Sequence, residues 1–204
     1  MKIRILLTTL CLSFTFSAQA QESKTVKKDK KFYLELRPIQ FLLNGYSLVG
    51  HYKTGARSQL GINVFAATLT DGITDFVWNT DPGLDIEAQQ DIVIAVSYRY
   101  FPGKKSEQQG FFLGMSVGLE NYSLTERSLS EEQGYNFWYL APRVGYLWHP
   151  FRKAQSAAAD LFVALEAVGV LPLFKSDPAL FSAGVSAEIN NFLPSPLIGI
   201  GFRF

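Results

Sequence analysis

The chain reads as all-β: an eight-stranded antiparallel up-and-down transmembrane β-barrel, with ten strands as the alternative. Three observations point there. From Phe32 onward, apolar and polar residues alternate in short runs separated by turn signals, the period of strands with one apolar face. Aromatic residues gather at the ends of the apolar faces (Tyr98 and Tyr100, Trp138, Tyr146 and Trp148), as in the girdles flanking a lipid-facing band. The final run sets Ile198, Ile200, Phe202 and Phe204 on one face of a strand. Composition agrees: 48% of the 204 residues are hydrophobic, 14% aromatic and 18% charged, against roughly 25% charged in soluble chains. A net charge of +1 excludes a strongly basic nucleic-acid binder. The single cysteine, Cys11, excludes a disulfide scaffold and a Cys-based zinc site.

Residues 1–20 read as an export signal. Lys2 and Arg4 precede an apolar run from Ile5 to Phe16, and Ala18-Gln19-Ala20 has the small-x-small pattern of a signal peptidase site. The run is too short for a spanning helix, which needs about 20 residues. Leu10 before Cys11 is bulky where lipid attachment needs a small residue. Residues 21–31 are polar and lysine-rich and read as a solvated periplasmic tail, which leaves 32–204 for the barrel.

Strands are expected near 32–42, 46–53, 58–68, 91–101, 110–122, 136–149, 159–170 and 196–204. Asn44-Gly45 is a hairpin signal between the first two. Thr54-Gly55, Pro102-Gly103 and Pro150 punctuate later ones. In the fourth strand Ile92, Ile94, Val96, Tyr98 and Tyr100 share a face opposite Asp91, Val93, Ala95, Ser97 and Arg99. The fifth sets Phe111, Leu113, Met115, Val117 and Leu119 against Phe112, Gly114, Ser116, Gly118 and Glu120. The sixth opposes Trp138, Leu140, Pro142, Val144, Tyr146 and Trp148 to Tyr139, Ala141, Arg143 and Gly145; the seventh opposes Leu161, Val163, Leu165 and Ala167 to Phe162, Ala164 and Glu166. The second faces mix small residues with charges, which suits a crowded narrow lumen. A soluble lipocalin-like barrel would reverse the faces, with an apolar lumen and a polar exterior.

Gly199–Phe204 (GIGFRF) resembles the C-terminal signature of bacterial outer-membrane β-barrels. The chain from Phe32, with segments such as Gly45–Tyr52, Val96–Phe101 and Gly110–Gly118, is similar to the small OmpA-membrane-domain and OmpX-like barrels, in particular uncharacterised Bacteroidetes-type members. The resemblance implies a Gram-negative outer-membrane location, contact with lipid and lipopolysaccharide, and a monomer. It also implies that barrel-assembly machinery reads Ile198, Ile200, Phe202 and Phe204. It implies no activity.

In such a barrel short turns lie in the periplasm and long loops outside. The short connections, Lys53–Arg57, Pro102–Gln109 and Pro150–Ala158, carry Lys53, Arg57, Lys104, Lys105, Arg152 and Lys153. The outer ones are Leu43–Gly45, Leu69–Gln90, Ser123–Tyr135 and Leu171–Ser195; the second holds Asp71, Asp75, Asp81, Asp85 and Glu87 without a Lys or Arg. Those carboxylates suit Ca²⁺ in kind, but their spacing matches no EF-hand loop, so a solvated loop is expected. Leu180–Ile189 alternates like a strand, yet Asp177-Pro178 could start a helix; an extracellular loop element is the expectation.

Projecting the mixed faces inward opposes Glu35, Asp91, Glu120 and Glu166 to Arg37, Arg99, Arg143 and Arg203, with His51 on the same side. An eight-stranded lumen is only wide enough for side chains, and an unpaired buried ion costs several kcal/mol. A salt-bridged, sealed interior is therefore expected, and the loops are left for structural or interaction roles. A lipid-active enzyme or a narrow solute or ion pore is the alternative. No catalytic residue, metal site or cofactor is expected: His51 and His149 are the only histidines, and neither has a serine two residues away.

Overall fold

The computed structural model describes residues 30–81, 85–103, 108–128, 130–154, 156–182 and 184–204. The export signal and nearly all of the tail expected at 21–31 lie outside them, as do Lys104 and Lys105.

Alternation holds the backbone extended over most of the chain. The elements are β1 (Phe32–Leu36), α1 (Ile39–Leu42), β2 (Tyr46–Gly55), β3 (Ser58–Thr68), α2 (Asp71–Val77), β4 (Trp78–Thr80), β5 (Ile86–Tyr100), β6 (Gly110–Glu126), β7 (Glu131–Trp148), β8 (Leu161–Lys175), β9 (Ala179–Leu180), β10 (Ser186–Ile189) and β11 (Leu193–Arg203). Eight strands close into an antiparallel barrel in the order β1-β11-β8-β7-β6-β5-β3-β2. Closure joins the first strand to the last: Leu36 pairs with Ile200 and Tyr33 with Arg203. Just below, Phe32 and Phe204 exchange backbone hydrogen bonds of 3.3 and 2.8 Å.

The period-two pattern sorts side chains as the sequence requires. On β5, Ile92, Ile94, Val96, Tyr98 and Tyr100 are exposed, while Val93, Ala95, Ser97 and Arg99 are buried. The same split holds on β6 and β7. Large inward side chains lie over inward glycines of neighbouring strands. A Cβ at Gly199 would overlap the Glu35 carboxylate, and one at Gly61 the His51 ring.

The strands depart from the expected ones at four places. β1 stops at Leu36 instead of Leu42, because Pro38 (φ −60°, ψ −27°) turns the chain into α1 and offers no N–H to continue a ladder. β5 starts earlier, at Ile86, and α2 and β4 fill the rest of the 69–90 connection. β6 and β7 keep pairing outward as far as Glu126–Glu131, so most of the 123–135 loop is strand instead. Of Leu180–Ile189, only Leu180 (in β9) and Ser186–Ile189 (β10) are strand, and they do not join the barrel: β10 pairs with β9 and with β4 in a separate sheet of order β4-β10-β9. The barrel therefore has eight strands, and this small sheet with α2 closes over its long-loop end.

Candidate functional site: the ion network and the cavity above it

The lumen is layered. At the short-turn end Phe101, Phe112, Leu147 and Phe162 are fully buried beside Tyr33 and Ala164. Gln108 tucks under this layer with left-handed φ (53°). Its Nε2 donates to the Gly55 and Ser58 carbonyls (2.8 and 2.9 Å), and its Oε1 accepts from Gln59 Nε2 (3.0 Å).

Above the phenylalanines sits the ion network. Glu35 accepts from Arg37 Nε at 3.2 Å and from Arg99 Nη2 at 2.9 Å. Glu166 accepts from Arg99 and from Arg143 Nη1, the latter at 3.0 Å, with Arg37 Nη2 3.7 Å away. Arg143 also donates to Ser116, and His51 Nε2 stands 3.7 Å from Glu35. The Arg99 guanidinium lies 4.9 Å over the Phe112 ring, tying the network to the layer below. Each carboxylate therefore bridges guanidinium groups from different strands, a geometry the planar Arg fork favours.

Five of the eight charges expected in the lumen meet here: Glu35, Arg37, Arg99, Arg143 and Glu166. The other three do not. Asp91 falls where the β5–β6 register shifts between Gln90 and Ile94; it is half-buried and accepts from Ser123 Oγ at 3.3 Å. Glu120 is buried higher up, held by Gln90 Nε2 and Tyr122 Oη at 2.9 Å each. Arg203 sits at the short-turn end, where it and Lys30 clamp Asp160. Ile198, Ile200 and Phe204 are exposed on the outer face of β11; Phe202 beside them is half-buried, its ring 5.4 Å from that of Phe204.

Between the network and α2, whose Ile73, Phe76 and Val77 face it, lies a cavity of about 330 Å³. Arg37 and Arg143 reach its floor, Glu120 and Gln90 stand on one wall, and Phe65, Leu69, Val168 and Val170 line much of the rest. Over it, Trp78 is 2% exposed and packs edge-on against Tyr122 and Tyr135 (5.2 and 4.9 Å).

Arg127 organises the outer surface, a role the sequence reading missed. It contacts Asp71 at 2.7 Å, Asp85 at 3.0 Å and Glu87 at 3.8 Å, so the acidic 69–90 connection is drawn to the β6–β7 turn. The hydrogen bond from Arg127 lowers the Asp71 pKa below the usual carboxylate range. Glu131 accepts from the Ser182 hydroxyl and backbone N–H (2.6 and 2.8 Å), and these bonds lower its pKa as well. The signal was available: Arg127 is the one cation between Lys105 and Arg143.

A closed antiparallel ring of eight strands, apolar outside and ion-paired within, defines a small up-and-down β-barrel. No family model and no curated protein matches the chain. Among solved structures, CarO2 of Acinetobacter baumannii is similar at 10% identity, covering 86% of this chain and 98% of that one, with a TM-score of 0.38. At so loose a superposition the fold rests on this chain's own strand pairing.

Proposed function

We propose that this chain is a monomeric outer-membrane β-barrel of a Gram-negative envelope, with a sealed interior and a structural or surface-interaction role for its covered end. The outer face carries this reading. On β7 the outward residues are apolar from Trp138 to Trp148 and turn polar above, at Asn136, Gly134 and Glu132; on β6 they change from Leu119 to Asn121, Ser123 and Thr125. A band about ten residues long, at ~3.3 Å per residue and ~40° tilt, stands roughly 25 Å tall, the height of the apolar belt of outer-membrane barrels. Aromatic residues edge it: Phe32, Tyr52, Tyr100, Phe111 and Trp148 at the short-turn end, Tyr46, Trp138 and Phe174 at the other. In water such a surface would far exceed the apolar patches that soluble monomers tolerate.

The buried phenylalanine layer and the ion network support a sealed lumen. A non-enzymatic role is part of the proposal: His51 is buried in the lumen with its Nε2 3.7 Å from Glu35, a place that suits a member of the ion network. Lipid and lipopolysaccharide would meet the band and the covered end, and barrel-assembly machinery would act on β11 during insertion. Three measurements test the reading. The protein is expected to fractionate with the outer membrane, to migrate faster unheated than boiled in detergent gels, and to give no discrete conductance steps in planar bilayers. Release by osmotic shock overturns the location, and stable conductance steps overturn the sealed interior.

A further inference from the structure

β11 has backbone partners on both sides only along its lower part. Ile200–Arg203 pair with β1, whereas residues 193–199 pair with β8 alone among the described residues. The Phe32–Phe204 exchange sets the parity: even-numbered residues of β11 turn their amides toward β1. Above Ile200 those positions are Ile198, Pro196 and Pro194, and the next one on β1 after Leu36 is Pro38. Three prolines thus stand where an open seam would otherwise leave amide donors bare. In lipid a bare donor is costly, so this seam can stay unpaired at little expense.

The cavity reaches the seam. Its lining includes outward-facing Pro194 and Pro196 as well as inward-facing Leu193, Ser195 and Leu197. A cavity touches both faces of a strand only by passing its edge. Inside, the donors exceed their acceptors: among the described residues Arg37 Nη2 and Arg143 Nε have no hydrogen-bond partner, although both side chains are buried. Glu120 does not answer them, being held by Gln90 and Tyr122. The remaining wall is largely aliphatic and aromatic.

We propose that this cavity binds a medium-chain fatty acid, admitted from the surrounding lipid through the β1–β11 seam, with its carboxylate on Arg37 and Arg143 and its chain against Val168, Val170 and Leu69. The site rests on the membrane reading above. Its volume of about 330 Å³ lies at the low end of the ~300–1,000 Å³ of small-molecule sites, so the end of a twelve-carbon chain would extend into the seam. The carboxylate would accept one charge-assisted hydrogen bond from each arginine, through Arg37 Nη2 and Arg143 Nε, and the seam opens where such a chain would already reside.

The test uses the folded full barrel in detergent and in phospholipid vesicles, with dodecanoate and a diazirine-bearing analogue as probes. Saturable 1:1 dodecanoate binding is expected, with dodecanol at least tenfold weaker. Arg37→Gln and Val170→Trp should each weaken dodecanoate binding tenfold or more; the second fills the cavity without touching a charge, should Arg37→Gln fail to fold. Photolabelling is expected in 161–175 and 193–203. Equal binding of dodecanol, undiminished binding by a folded Val170→Trp barrel, or labelling confined to the outer face of β5–β7 overturns the proposal. If those results come from a protein that fractionates with the outer membrane, this inference alone fails; release by osmotic shock overturns both readings.

Discussion

Glu166 shows how one side chain carries several strands. It lies on β8 and binds arginines from β5 and β7, with Arg37, just past β1, within 3.7 Å. Glu166→Ala would leave three buried guanidinium groups sharing Glu35, and breaking a buried ion pair from one side costs about 3–5 kcal/mol. The folded, fast-migrating form should therefore give way at a clearly lower urea concentration; an unchanged midpoint would show that the network contributes no stability. Gly199→Val tests the same layer by volume. Its side chain would enter the space of the Glu35 carboxylate, and overpacking of this kind costs about 1–3 kcal/mol. The same urea titration should lower the midpoint here too. Strand parity alone placed Glu35, Arg37, Arg99, Arg143 and Glu166 on the inner face. It could not say which inner charges share a level, because that depends on the stagger between strands. Asp91 was displaced by a register shift, Glu120 found neutral partners, and Arg203 lies a layer below the network.

At the scale of elements, the barrel strands were legible because each has one face that cannot be polar, and a slip of one residue would reverse it. The covering sheet was not. β4, β9 and β10 are two to four residues long, and the β4–β10 pairing, Thr80 with Ala187, joins distant parts of the chain, which no local pattern encodes. The sheet's buried side, Trp78, Ala187 and Ile189, shares a core with Tyr122, Tyr135 and Phe137 of the barrel, and exposed polar contacts fasten its rim and α2: Arg127 with Asp71 and Asp85, and Glu131 with Ser182. Arg127→Ala should speed hydrogen exchange in 71–80 and 179–189 while leaving the barrel's thermal midpoint unchanged, since the pairs are solvent-exposed. Acid should act on the same contacts. Asp71 and Glu131 have lowered pKa values in the fold. Their contribution is therefore complete above the ordinary carboxylate pKa of about 4 and is lost as pH falls through the lowered values. Exchange in the covering elements should rise below about pH 4 before the barrel opens; simultaneous loss of both would refute their separation.

For the molecule as a whole, the question is which solvent the outer face meets, and opposite substitutions answer it. Val96 stands mid-band on β5, and Thr125 stands beyond the band on β6, both facing outward. In a bilayer, Val96→Arg should destabilise the inserted barrel by about 2–4 kcal/mol, while an arginine near or above the interface costs about 0–1. Thr125→Arg is therefore expected to be nearly silent. If the face met water, both would be surface changes within about ±0.5 kcal/mol, and Val96→Arg would improve solubility. Folding titrations into phospholipid vesicles separate the cases, because only lipid makes the cost depend on depth. The low charged fraction of the chain follows from the same geometry. On the membrane reading, outward positions within the band cannot hold an ion cheaply, and inward positions hold one only where a partner strand supplies its opposite. Charge is left to the turns, the covering sheet and one ion-paired layer, which is where the eight-stranded ring places most of it.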